Sequence, residues 1–141
     1  NTKLGFETHH SHLLKLTTQV FPGFISEDRL GWSGFPQWRN LSQLYLTRNR
    51  HRIEWQAVTT AAQRKNPFLP GCCGRIPTYT RYDLFYSNYD LFSSTLRLGI
   101  RNLLGTLPPT DDTFHGQAGY LNTSLYDPRG RTFFLDLMVP F

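Results

Sequence analysis

The sequence predicts a mainly irregular, extended chain with a few short α-helices and little β-sheet, not a compact fold of a familiar kind. Three observations predict it. Gly and Pro number 11 and 9 among 141 residues and are scattered throughout, which keeps regular elements short. Aromatic residues are abundant, with 11 Phe, 7 Tyr and 3 Trp, while charged residues make up only 18%, against about 25% in ordinary soluble domains. Two windows, 39–65 and 93–104, carry apolar residues at the three-and-four spacing of a helix. A chain with many rings and short elements has little of its own with which to cover them.

The length fits one domain, and its segments can be justified in order. Residues 1–38 form an arm rich in aromatic residues, Gly and Pro. Phe21-Pro22-Gly23-Phe24 and Gly34-Phe35-Pro36 mark irregular backbone there. Residues 39–65 lack Gly and Pro altogether, and Leu41, Leu44, Tyr45, Arg48, Arg52, Trp55, Val58 and Ala62 would share one helix side. Asn66-Pro67 and Leu69-Pro70-Gly71 then stop the helix, because the residue before proline is pushed out of helical backbone. Residues 66–92 hold this Pro-Gly turn and a Tyr-rich segment in which Tyr-Asp-Leu-Phe occurs at 82–85 and again at 89–92.

Residues 93–107 contain the second helix, centred on 93–104. Ser93 or Ser94 suits its N-cap, Gly105 suits its C-terminal stop, and Leu96, Ile100, Leu103, Leu104 and Leu107 supply its apolar side. Residues 108–141 form a turn-rich C-terminal arm. It ends in an apolar tail from Phe133 to Phe141 that is a liability if left exposed.

The net charge is +5, carried by twelve Arg against three Lys. Arg offers planar, bidentate, stackable cations, so the balance favours an acidic partner. Arg48, Arg50 and Arg52 form the densest basic run and are candidates for a basic contact. Cys72 and Cys73 are adjacent and make no disulfide framework, which points to a reducing compartment. No run of 18 apolar residues exists to cross a membrane as a helix, and no basic, apolar leader opens the chain; no membrane association is expected.

Catalytic signatures are missing. There is no Walker loop, GxGxxG, HExxH or GxSxG pattern. His9, His10 and His12 cluster, but a metal needs three or four converging ligands. His51, His115, Asp111 and Asp112 have no partner that spacing can nominate. The expectation is a protein that is not an enzyme, with no cofactor, no metal and no small-molecule substrate. Absence of RRM, KH and zinc-finger patterns disfavours nucleic acid as well.

The most informative segment runs from Leu69 to Tyr82. Pro70-Gly71 suits the centre of a type II turn, Gly74 allows a second bend or a close backbone approach, and Pro77 holds Ile76 extended. Arg75, Tyr79, Arg81 and Tyr82 then project from an extended stretch. The spacing P-G-x-x-G-x-I-P followed by Tyr and basic residues resembles the short motif of ciliary and sperm-flagellar microtubule inner proteins. That resemblance implies a structural protein on the luminal face of axonemal doublet microtubules, in the cytoplasmic cytoskeleton of cilia and flagella, stabilising the lattice with tubulin and neighbouring axonemal proteins as partners. It implies that Pro70, Gly71, Gly74, Ile76 and Pro77 shape a loop seated between tubulin subunits, with Arg75, Tyr79, Arg81 and Tyr82 extending the contact. Composition leaves open an accessory subunit of another large assembly, such as a mitochondrial complex or ribosome, or a compact RNA-binding or capsid domain.

Overall fold

From Thr2 onward the backbone runs up and down in long antiparallel strands. The computed structural model describes residues 1–19, 21–23, 25–68, 74–113 and 121–140. Ten strands occur among them: β1 (Thr2–His12), β2 (Thr17–Thr18), β3 (Glu27–Asp28), β4 (Trp38–Arg48), β5 (His51–Thr60), β6 (Gln63–Arg64), β7 (Arg75–Ile76), β8 (Tyr79–Leu91), β9 (Ser94–Arg101) and β10 (Thr132–Met138). Six of them build one sheet in the order β1-β4-β5-β8-β9-β10, with every pair antiparallel. The short strands pair as β2 with β3 and β6 with β7.

No helix occurs among the described residues. The expected irregular chain with helices at 39–65 and 93–104 is therefore overturned. The first window is a β-hairpin. Its strands are rich in β-branched and aromatic residues (Tyr45, Thr47, Ile53, Trp55, Val58, Thr59, Thr60), which suit a pleated surface. The two-residue turn uses Asn49 and Arg50, with Asn49 at φ 54°. Asn tolerates that left-handed backbone where most residues resist it, so the chain reverses without the Gly or Pro that would have flagged a turn.

The second window is strand β9, in which Leu96, Leu98 and Ile100 alternate with Arg97, Gly99 and Arg101. Ser93 is not a helix cap. It sits with Phe92 in the turn between β8 and β9, at φ 62° and 53°, the mirror-image turn whose twist matches a hairpin. Gly105 does not end a helix either. At φ 66° it closes the turn after β9 and donates its N–H to Asn102 O at 2.8 Å.

The two ends of the sheet differ. Adjacent strands are joined at one end by the two-residue turns 49–50 and 92–93, and at the other by the long connections 13–37, 61–78 and 102–131. Parts of those connections fold over one face of the sheet and make the buried centre. Ala61, Gln63, Ile76, Tyr79, Tyr126, Asn122 and Asp111 are all enclosed there. Gln63 donates from Nε2 to the Tyr126 hydroxyl at 2.9 Å and accepts from Gly34 N at 2.8 Å, and Tyr79 meets Tyr126 edge to face at 5.4 Å. A globule of this mass has about 7,500 Å² of accessible surface. This chain has 9571 Å², because much of the sheet is a single layer with an uncovered side.

Candidate functional site

Strand geometry places alternate residues on opposite faces, and the register aligns those faces across all six strands. One face carries Leu4 and Phe6 of β1 and Leu44 and Leu46 of β4. It continues with Ile53 and Trp55 of β5, Leu84 and Tyr86 of β8, Leu96, Leu98 and Ile100 of β9, and Phe133, Leu135 and Leu137 of β10. These form a continuous apolar band on which none of the described residues forms a second layer. Phe6 is 64% exposed, Leu135 65% and Phe133 71%, and even Leu44 and Ile53 in inner strands keep 43% and 50%. A patch of this extent on a sheet face marks a surface that another apolar phase covers.

The band has two borders. Toward the long loops the same face turns polar at Thr8, Asn40, Ser42, Thr59 and Thr80, which form two hydrogen-bonded groups. Thr8 Oγ1 donates to Asn40 Oδ1 at 3.1 Å, Asn40 Nδ2 donates to Ser42 Oγ at 2.8 Å, and the Thr59 and Thr80 hydroxyls lie 3.1 Å apart. Trp55 stacks on Tyr82 at 5.4 Å just below these groups, and Trp38 stacks on His10 at 5.8 Å beyond them. Toward the short turns the band ends at Arg48, His51 and Asn88 on β4, β5 and β8, and Tyr86, one step inside it, places its hydroxyl 2.8 Å from His51 Nδ1. Aromatic groups with polar tips thus stand along the long-loop margin, with Tyr86 near the other.

The opposite face is polar and internally paired. Arg52 binds Glu54 through Nε at 3.0 Å and Nη2 at 2.7 Å while its guanidinium lies 4.0 Å over the Tyr45 ring. Glu54 also accepts a short hydrogen bond from Gln56 Nε2. Asp83, 1% exposed, accepts from Arg81 Nη2 at 3.0 Å and from Asn102 N at 2.8 Å. Arg97 lies 4.6 Å over Phe85, and Arg101 lies 5.4 Å over Phe134. The Phe134 ring fills the space over Gly99, where a Cβ would come within 2.1 Å of it.

The structure separates the residues singled out from sequence. Arg48 and Arg52, expected one turn apart on a helix, project from opposite faces of the hairpin, and Arg50 sits in its turn, paired with Asp90 at 2.5 Å. Pro70 and Gly71, with Cys72 and Cys73, lie outside the described residues, as do Phe24 and His115. Gly74 accepts from Lys65 N at 3.0 Å. Arg75 and Ile76 form β7, with Ile76 3% exposed, and Pro77 follows it exposed. Tyr79 is buried and donates its hydroxyl to Thr106 O at 3.2 Å. Arg81 is committed to Asp83 and Tyr82 to Trp55. Among the described residues no three His, Cys, Asp or Glu converge as metal ligands. His9 projects from the other face of β1 than His10 and His12 do.

Two loop carboxylates are perturbed. The hydrogen bonds from Arg129 hold Asp127 down at about 2, and the hydrogen bond from Lys65 lowers Asp112. Burial raises the Tyr126 phenol, which keeps it neutral as a structural donor and acceptor. Sequence reasoning missed the apolar face, although its signal was present: Leu96-Arg97-Leu98-Gly99-Ile100-Arg101 is a period-two run. No family model, curated protein or solved structure matches this chain.

Proposed function

We propose that the chain forms a stretch of the wall of a transmembrane β-barrel, with its apolar face against lipid acyl chains and its polar face toward the lumen. The observation that carries this reading is the exposed apolar band, continuous across six antiparallel strands, with Trp55 and Tyr82 along its long-loop margin and Tyr86 near the other. Strands crossing a bilayer need about 9–11 residues. The strands β1, β4, β5 and β8 have 11, 11, 10 and 13, and β9 and β10 at the other end of the sheet have 8 and 7.

Further features agree with it. Membrane barrels alternate apolar outside with polar inside, carry aromatic girdles, and join strands by short turns on one side and long loops on the other; the turns 49–50 and 92–93 against the loops 13–37, 61–78 and 102–131 follow that asymmetry. The lack of a long apolar helix among the described residues has no bearing on a wall made of strands. The smallest such barrels have about eight strands, so the outer edges of β1 and β10 would take further strands to close the wall.

The test is refolding of the chain from urea into phosphatidylcholine vesicles, read by circular dichroism and by quenching of tryptophan with brominated acyl chains. We expect strand signal that depends on lipid and quenching that falls when Trp55 is replaced by Phe. A chain that folds equally well without lipid and shows no quenching overturns the reading. The alternative, attachment to the microtubule lumen through residues 70–82, keeps one supporting observation, the exposed Arg75 on β7; co-sedimentation with microtubules in the absence of lipid insertion would favour it.

A further inference from the structure

At the short-turn border of the apolar band lies a groove of about 440 Å³ lined by Leu46, Arg48, Asn49, His51 and Ile53. Its composition is divided. Leu46 and Ile53 are cross-strand partners at the bottom of the band, and Arg48 and His51 are the next partners on the same face. An apolar floor therefore runs into a cationic and hydrogen-bonding rim within one step of the ladder.

Two details make the rim available to a ligand. No ion pair to Arg48 occurs among the described residues, whereas the neighbouring Arg50 and Arg52 are occupied by Asp90 and Glu54. His51 is held in place by the Tyr86 hydroxyl, 2.8 Å from Nδ1, with the rings stacked at 6.0 Å. In the tautomer in which that hydroxyl donates to Nδ1, the Nε2–H is left to donate outward. A guanidinium, an imidazole N–H and the Asn49 carboxamide together suit a phosphate diester, and Leu46 and Ile53 suit the first methylenes of an acyl chain.

We infer that this groove binds an anionic phospholipid, with the phosphodiester on Arg48, Asn49 and His51 and an acyl chain along Leu46 and Ile53. The inference rests on the barrel-wall reading above. It adds that the leaflet on the short-turn side is selected for its headgroup charge at this place. Basic side chains at a membrane border attract anionic lipid, and here Arg48 has no carboxylate partner among the described residues beside the acyl-chain surface.

The test uses the full chain refolded in vesicles of phosphatidylcholine containing one fifth phosphatidylglycerol, with a spin label on either lipid to read which one lies at the protein surface. The unaltered chain should enrich phosphatidylglycerol over phosphatidylcholine about fivefold at the labelled contact positions, the effect of about one basic residue. Arg48→Gln should bring the ratio close to one, Arg48→Lys should keep part of it, and His51→Gln should reduce it. Arg39→Gln, on the polar face at the far end of β4, should leave it unchanged. Inorganic phosphate at millimolar concentration should not displace the lipid, because it lacks the acyl chain; displacement would mean a simple anion site and overturn the inference. Insertion with no phosphatidylglycerol preference, or a preference that survives Arg48→Gln, overturns it too while leaving the barrel wall intact. Failure of every variant and of the unaltered chain to insert overturns the wall reading itself.

Discussion

The two faces of the central sheet are made by the same strands, one residue out of step, yet they solve opposite problems. On the polar face several charges have company inside the molecule: Asp83 is enclosed by Arg81 and Asn102, Glu54 by Arg52 and Gln56, and Arg97 and Arg101 lie on Phe rings. On the apolar face Leu4, Phe6, Ile53, Phe133 and Leu135 have lateral neighbours but no layer of described residues above them. The comparison teaches that the fold is satisfied on one side and incomplete on the other. At about 25 cal/mol per Å² of apolar surface removed from water, the uncovered side is the larger unrealised stabilisation, which is the physical reason for placing it in lipid.

The sharpest way to break the comparison is to disturb the self-sufficient face. Asp83→Ala leaves the buried Asn102 N–H and Arg81 without their acceptor, and should destabilise the folded chain by about 3–5 kcal/mol, measured by urea titration in vesicles. A loss below about 1 kcal/mol would mean that this face is not internally closed. Next in size is an attack on the other face. Leu135→Arg should cost about 2–4 kcal/mol in lipid, as for a cation at the bilayer midplane of a barrel, whereas Thr8→Arg above the band should cost about 0–1. Equal costs at the two sites would remove the band's membrane assignment.

A smaller effect tests how closely the polar face is packed. Gly99→Ala puts a Cβ against both Phe134 and Phe85, at 2.1 and 2.8 Å before relaxation, and should cost about 1–3 kcal/mol by overpacking. The aromatic contact of Phe85 with Phe134, now 5.6 Å between centroids, should open in the variant. The smallest expected effect lies in the loops. Asp127 is held at about 2 by Arg129. Its folded value is depressed, so its contribution is fully present above the ordinary value of 3.8 and is lost as pH falls toward 2. Arg129 is largely exposed, so the change in stability should be slight. The direct readout is the carboxyl titration by NMR, which should move back toward the ordinary value in Arg129→Gln.

Much of the loop structure was legible. Asn66-Pro67, Leu107-Pro108-Pro109 and Asp127-Pro128-Arg129-Gly130 all fall in the long connections, because proline and glycine restrict or release backbone whatever surrounds them. The strands were harder. Leu44, Arg48 and Arg52 are spaced by four, a step that keeps one side of a helix and also one face of a strand. The two-residue turn at Asn49-Arg50 then reverses the alternation, so that Arg48 and Arg52 end on different faces. Leu41, Leu44 and Tyr45 suggested a helix side, yet Leu44 faces the apolar band and the other two the polar face. The candidate groove was half legible. Arg48 stood out as part of a basic run, but only the pairing of Leu46 with Ile53 and of His51 with Tyr86 gave it a floor and a fixed neighbour.

Taken alone, the order of residues determined the abundance of rings, the excess of Arg, the placement of the turn-forming loops and the alternation of β9, because each depends on side-chain chemistry or on backbone preferences acting within a few positions. Tertiary structure decided that the windows at 39–65 and 93–104 are strands. It also decided that six strands align their apolar residues on one face and that Ile76 and Tyr79 are enclosed while Phe6 and Leu135 are not. Those outcomes depend on hydrogen bonds between strands distant along the chain, and a strand without its neighbours has no ladder to hold it.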